Sequence, residues 1–191
     1  MSEYVGDYAQ RMAWLTGFGG SAGTAAVLPA KAAVFVDGRY TVQVRDQVDG
    51  SLFDYVGVPQ SSVAEWLGAN VGAGQKIGFD PWLHGIDWAR GLGKALAAKG
   101  AQLVAVDANP IDAAWDDQPL PSAAVVTVHD TKLAGQAATD KRAVIADWLK
   151  AKGLDTTVMT ALDSVAWTFN IRGSDVSHTP VGLAFALLHA D

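Results

Sequence analysis

The sequence repeats itself. Residues 13–22 run Ala-Trp-Leu-Thr-Gly-Phe-Gly-Gly-Ser-Ala, and residues 166–175 run Ala-Trp-Thr-Phe-Asn-Ile-Arg-Gly-Ser-Asp. One offset of 153 residues lays Ala13, Trp14, Gly20 and Ser21 on Ala166, Trp167, Gly173 and Ser174. That period is too long for a solenoid, whose units recur every 20–50 residues or about that. The spacing predicts two related domains in tandem, the second barely begun where the sequence stops at Asp191. It therefore predicts a polypeptide that is one region of something larger.

Composition narrows the classes. Half of the 191 residues are hydrophobic and 18% are charged, which excludes a disordered chain and allows a sizeable core. The net charge of −6, with no block of Lys or Arg, lacks the basic footprint of a nucleic-acid binder. There is no cysteine, which removes disulfides, thiol catalysis and thiolate metal sites. No apolar run approaches the length of a membrane span, and the N-terminus has no charged-then-apolar signal pattern. The expectation is a cytoplasmic protein that binds neither membrane nor nucleic acid.

Pattern predicts α/β for both parts. Thr24–Leu28 and residues 32–36, separated by Pro29-Ala30-Lys31, read as a hairpin of buried strands. Asp37-Gly38-Arg39 closes the second strand, and Tyr40, Val44 and Val48 have a helical spacing. Strands follow at Phe53–Val58, Lys76–Phe79 and 102–106, with helices opened by the capping box Ser62-Val-Ala-Glu65 and spanning 86–99. A hairpin next to such β-α-β alternation makes the first sheet mixed and flanked by helices. Pro110, Pro119 and Pro121 with Asp116-Asp117 mark residues 109–124 as the linker, giving domains at 1–124 and 125–191. Beyond it, Thr139-Asp140 predicts a capped helix with Val144, Ile145, Trp148 and Leu149 inward. A strand over 156–160, a helix over 163–169 and a strand over 181–188 follow.

Several motifs invite a chemical reading. Gly19-Gly20-Ser21-Ala22-Gly23 fits G-x-S-x-G, the nucleophile elbow of serine hydrolases, with Asp175 and His178 in triad order downstream. That chemistry needs a strand before the serine and a helix after it, whereas a strand is predicted after Ser21. Tight backbone turning before the hairpin accounts equally for the glycines. Gly17-x-Gly19-x-x-Ala22 also fits the loose dinucleotide fingerprint and meets the same objection. His84, His129, His178 and His189 show no metal-ligand spacing. Arg39, at a strand end, and Arg172, in Asn170-Ile-Arg-Gly-Ser-Asp175, could each grip a peptide carboxylate or carbonyl, or form a structural pair with an Asp. Spacing alone favours the structural reading for both.

Longer segments carry a family resemblance. Ser2-Glu3-Tyr4, Arg11-Met-Ala-Trp-Leu-Thr-Gly-Phe-Gly-Gly-Ser-Ala-Gly-Thr24, Val36-Asp-Gly-Arg-Tyr40, Ile77-Gly-Phe-Asp-Pro81, Trp115, the run from Thr160 to Val176 and Thr179-Pro-Val181 stand in one order. Together they resemble the non-catalytic, N-terminal region of the Xaa-Pro aminopeptidases in the creatinase/prolidase family. The resemblance implies two related α/β domains ahead of a catalytic domain that holds two divalent ions, usually manganese, and works as a homodimer. A family-first helix and strand would precede Ser2. It also implies a peptide substrate with proline second, hydrolysed by a metal-activated water, with none of the metal ligands in this segment and the segment itself inactive. One site residue carries over: the arginine of Asp-Gly-Arg-Tyr contacts substrate in the family, which points to Arg39. Glu3 is a weaker candidate for lining that region. The resemblance assigns no role to Arg172 or His178. A stand-alone peptide-binding module and a serine hydrolase using Ser21 remain the alternatives.

Overall fold

A computed structural model describes residues 4–191. The chain forms two compact units: Gln10–Gln118, and Pro119–Asp191 together with residues 4–9.

The first unit is built around one buried strand. Strand β1 (Thr24–Leu28) turns back into β2 (Lys31–Asp37) as an antiparallel hairpin, with Thr24 opposite Phe35 and Leu28 opposite Lys31. On its other side β2 pairs in parallel with β3 (Phe53–Val58), from Ala32 opposite Phe53 to Asp37 opposite Val58. The sheet is therefore mixed, with β2 in the middle. Both faces of β2 are covered, which explains why Ala33-Val34-Phe35-Val36 is an unbroken apolar run rather than an alternation. Ala33 and Phe35 face one way, into a core with Trp66 and Leu67 of helix α3 (Val63–Asn70) and Leu92 and Leu96 of α4 (Ile86–Ala97). Val34 and Val36 face the other way, onto Phe18, Val44 and Val48.

The parallel pair β4 (Lys76–Phe79) and β5 (Gln102–Ala105) brackets α4, and its Ile77 and Leu103 pack on the core that α3 and α4 share. Ser62 and Glu65 form the full reciprocal cap of α3: the serine Oγ accepts from the Glu65 N–H at 3.2 Å, and Glu65 accepts from the Ser62 N–H at 2.7 Å. Gly100 ends the α4 region at φ +73°, where a side chain would be strained.

The expected linker is half structure. Helix α5 (Pro110–Ala114) starts with Pro at its first turn, and Asn109 caps it by accepting from the Ile111 N–H at 3.0 Å. Asp112 on α5 takes the Arg11 guanidinium in a two-point pair, 2.6 and 2.8 Å, and Trp115 stacks on Trp14 at 5.6 Å. Arg11 and Trp14 lie on α1 (Arg11–Thr16), so α5 is packed into the first unit. Proline 110 starts a helix here instead of breaking one.

In the second unit, a short α6 (Thr131–Ala134) precedes α7 (Ala138–Ala151), which begins one residue before Thr139, with Ala137 at the cap position and no side-chain cap bond. Its expected stripe is turned. Leu149 is buried, but Val144 and Trp148 are 64% and 54% exposed, and the buried position beside Leu149 is Lys141. Strand β7 (Thr156–Met159) pairs antiparallel with β9 (Ala186–His189), which starts later than residue 181. Helix α8 (Leu162–Phe169) leads directly into β8 (Ile171–Arg172), paired with β6 (Thr127–Val128).

The sequence repeat is a shared backbone device. Helix α1 ends on Gly17 at φ +80°, whose N–H bonds the Ala13 carbonyl at 2.8 Å. Helix α8 ends on Asn170 at φ +50°, whose N–H bonds the Ala166 carbonyl. The two caps differ by the same 153 residues as the repeat. Its two glycines are also spatially required. A Cβ on Gly20 would sit 2.3 Å from the Phe18 ring, and one on Gly173 would sit 2.7 Å from Gly182 Cα.

Candidate functional site at the carboxyl end of strand β2

The site grows from the last residue of β2. Asp37 is extended, and its carboxylate accepts the Arg39 N–H at 2.9 Å, which caps a single 3₁₀ turn over Gly38–Tyr40. The same carboxylate takes the Arg39 side chain, with Nε donating to Oδ1 at 3.0 Å and Nη2 to Oδ2 at 2.8 Å. The two-point geometry orients the guanidinium plane as well as attracting it. Arg39's side-chain donors, and then its backbone N–H, hold the Asp37 carboxyl below the usual carboxylate range. The Arg39 side chain is nevertheless 61% exposed, so the fork is presented to solvent rather than buried.

A second layer supports it. The guanidinium carbon lies 5.1 Å from the centre of the Tyr40 ring, within cation–π reach. Tyr40 is fixed in turn: its hydroxyl is 2.9 Å from Ser21 Oγ and accepts the Ser21 N–H at 3.3 Å. The ring meets buried Phe18 edge-on at 5.4 Å. Gly19 donates its N–H to Gln47 Oε1 at 2.9 Å, tying the glycine loop to α2 (Gln43–Gln47). The Gly-Gly-Ser loop is thus the base under Tyr40.

Beside this cluster a cleft of about 510 Å³ opens at the carboxyl ends of β2 and β3, lined in part by Asp37, Val58, Ser62, Val63, Asp87 and Trp88. Ligands of open α/β sheets bind in this position, and the volume suits one side chain or a short peptide segment. Trp88 is held by a stacked His84 at 4.0 Å, whose Nδ1 is 2.9 Å from the Asp80 carbonyl oxygen.

The other candidates separate from this cluster. Ser21 sits in a helix–loop–strand, between α1 and β1, the reverse of a nucleophile elbow. The Gly17-x-Gly19-x-x-Ala22 pattern likewise opens a strand and not a helix. Arg172 is half-buried and bonds the Ile171 carbonyl at 2.8 Å. His178 is exposed in a tight loop at φ +57°. Asp175 accepts the Leu183 N–H at 2.8 Å, and the Ser122 hydroxyl followed by that amide lowers its pKa. Glu3 lies outside the described residues. Among the described residues no three of His, Asp and Glu stand close enough to hold one metal ion, so these side chains do not fit a dinuclear metal centre. No helix among them is long and apolar enough to cross a membrane.

The family resemblance pointed to Arg39, and the supports around it were not read from the sequence. Asp37, two residues earlier, was read as a strand terminator; a carboxylate at that spacing is also a cap and clasp for the arginine after it. Ser21 stood out only as a G-x-S-x-G serine and Tyr40 only as an apolar helix position, because the contact between them joins segments 19 residues apart.

Comparison with known proteins identifies the scaffold. Residues 7–113 match the creatinase/prolidase N-terminal domain, and residues 117–191 match a second model of the same description. The chain belongs to the creatinase/prolidase N-terminal domain family. The paired matches agree with the duplication. Aminopeptidase P2 of Arabidopsis thaliana is 36% identical across all of this chain, and human Xaa-Pro aminopeptidase 2 is 34% identical across 98% of it. The chain spans 27% and 28% of those relatives' lengths. A crystal structure of the Caenorhabditis elegans X-prolyl aminopeptidase, described as a cytosolic enzyme with a di-nuclear active site, superposes with a TM-score of 0.91. It is 34% identical over 99% of this chain, which covers 31% of that structure. The fold is the mixed α/β creatinase N-terminal architecture.

Proposed function

We propose that this chain is the N-terminal scaffold and substrate wall of a metal-dependent Xaa-Pro aminopeptidase, an enzyme that removes the N-terminal residue preceding a proline. The observation that carries it is the superposition over 99% of the chain on an X-prolyl aminopeptidase at 34% identity. In this reading the two divalent ions, taken to be manganese, are held elsewhere in the complete protein and supply the activated water. The segment alone is inactive. Its own contribution is Arg39, whose exposed fork donates hydrogen bonds to the bound peptide and fixes its register, with Glu3 as a weaker contributor. The complete protein acts in the cytoplasm as a homodimer on proline-containing peptides. Its two N-terminal domains are residues 1–124 and 125–191, and limited proteolysis concentrated within 119–126 tests that division.

The test has two stages. The native polypeptide's mass, measured from source cells, is expected to be far above 20.0 kDa. Manganese-loaded full-length protein then cleaves Xaa-Pro peptides, and Arg39→Ala lowers kcat/KM by roughly 10- to 100-fold without shifting the melting temperature. Wild-type kinetics in a well-folded Arg39→Ala protein would remove Arg39 from the site. A native mass near 20.0 kDa favours the second reading, a stand-alone peptide-binding module, for which the cleft beside Asp37 is the supporting observation.

A further inference from the structure

The cleft beside Asp37 has a chemistry of its own, set mainly by helix α4. Asp87, Trp88, Gly91 and Leu92 line it, and their spacing puts them on one face of that helix. Val58 of β3 and Val63 of α3 add apolar wall. Gly91 is the unexpected member. It is an interior residue of α4, where glycine is a poorer helix former than anything but proline. Yet a Cβ built on Gly91 would meet nothing within 4 Å, so packing does not require the glycine. What it provides is depth, because the cleft there reaches the helix backbone.

Charge decides what can enter. The lining includes two carboxylates, Asp37 and Asp87, and no lysine, arginine or histidine. Asp37 is clasped by Arg39 at two points. Asp87 has no hydrogen-bond or ion-pair partner for its carboxylate among the described residues. An acid in the first turn stabilises its helix wherever it points, but that does not explain the glycine one turn further on. An anionic ligand would be repelled here, and a wholly apolar one would cover the Asp87 carboxylate without pairing it. A long aliphatic stem ending in a cation matches both parts of the cleft.

We propose that this cleft binds a lysine or arginine side chain of a peptide, with the stem laid over Gly91 and the ammonium or guanidinium on Asp87. The inference goes beyond the reading of Arg39 as a substrate contact and stands whether or not Arg39 touches peptide. Full-length protein is titrated with N-acetylarginine amide and with N-acetylnorleucine amide, and the dissociation constants are read by ligand-observed NMR. Both probes have a blocked backbone and an aliphatic stem, and neither contains a proline bond to cleave. Only one carries a charge.

The arginine probe is expected to bind about fivefold tighter, at the upper end of what a part-exposed ion pair supplies. Asp87→Asn should erase that advantage and leave the norleucine probe unchanged. Gly91→Leu fills the floor of the cleft and should weaken both probes about tenfold. Its melting temperature should hold or rise, because leucine is the better helix residue. Gly91→Ala, a smaller plug, should weaken both probes less and guards against a misfolded first variant. Equal affinities of the two probes for the wild type overturn the choice of ligand, as does the absence of saturable binding. An arginine affinity untouched by Asp87→Asn, or by both folded Gly91 variants, puts the probe elsewhere and overturns the site. None of these outcomes bears on Xaa-Pro cleavage, so the Arg39 reading stands or falls separately.

Discussion

The two copies of the repeat use one backbone design for different ends. Each is a helix that closes on a left-handed residue and runs on to a glycine too crowded for a side chain. In the first copy the left-handed residue is Gly17, and a Cβ there would come within 2.7 Å of the Gln47 carbonyl. Packing leaves room for nothing else. The loop beyond it carries no charge and serves as a platform, with Ser21 holding Tyr40 under the Arg39 fork. In the second copy the residue is Asn170, 4% exposed and bonded through its side chain to the Gln136 carbonyl at 2.8 Å and Lys141 Nζ at 2.7 Å. Lys141 also donates to the Trp167 carbonyl at 2.9 Å and lies 4.3 Å from the Trp167 ring centre. One copy uses its polar groups to hold Tyr40 in place. The other spends them on its own interior.

The tryptophans show the same contrast. Trp14 and Trp167 occupy equivalent positions and are 40% and 54% exposed. Trp14 is covered by another aromatic ring, Trp115, while Trp167 is covered by a buried cation. A duplicated segment can thus keep its helix, cap and glycine while the partner surface decides what its side chains do.

The largest effect should come from breaking the shared glycine. Gly173→Ala forces a Cβ onto the Gly182 backbone, which cannot rotate away, and urea unfolding should show a loss on the order of 3 kcal/mol. Gly20→Ala meets the buried Phe18 ring instead and should cost about 2 kcal/mol. A cost below about 0.5 kcal/mol for either, no more than a surface substitution, would break the steric account of the repeat.

Swapping the caps tests the divergence. Asn170→Gly keeps the left-handed backbone but removes one of the Lys141 hydrogen bonds and leaves the Gln136 carbonyl without this donor, a loss of about 2–3 kcal/mol in thermal unfolding. Gly17→Asn should be as damaging for the opposite reason, a clash with the Gln47 carbonyl. If Gly17→Asn were neutral, the two caps would be interchangeable and the contrast would fail. Within the first copy, Ser21→Ala removes the bond to the Tyr40 hydroxyl and should cost about 1 kcal/mol. Tyr40→Phe should cost a similar amount, and the double variant little more than either alone.

The smallest effect is electrostatic. Arg11's side chain lowers the Asp112 carboxyl below its ordinary value, with Gln118 helping. A pKa lowered on folding gives stability that is present above the unfolded-state value, near 3.8, and is lost as the pH falls through the folded-state value. Because the pair is partly open to solvent, Asp112→Asn should cost less than about 1 kcal/mol near pH 7, and the difference from wild type should vanish in strong acid. A difference that persists below pH 2 or so would mean that packing, not charge, holds α5 in place.

Much of this molecule could be read from the chain. The mixed first sheet followed from a hairpin set beside β-α-β alternation, and α3 was announced by Ser62 and Glu65. Local chemistry dictates such features, since turns, caps and periodicities involve residues a few positions apart. The repeat marked both segments, while the left-handed caps at Gly17 and Asn170 emerged only in the structure. Arg39 came from a family resemblance rather than from any spacing, and its clasp by Asp37 needed geometry. Misreadings arose wherever a distant partner overrode a local preference. Pro110 starts a helix because Asn109 caps it and Arg11, 101 residues away, pairs with Asp112. Helix α7 turns Lys141 inward, and Val144 and Trp148 outward, because the Trp167 backbone carbonyl and the Asn170 side-chain oxygen accept from its ammonium. Sequence alone determined which segments would be strands, helices and tight turns, through steric and hydrogen-bonding rules of short range. Tertiary structure decided which faces are buried and which charges are clasped, because those depend on groups brought together from opposite ends of a unit.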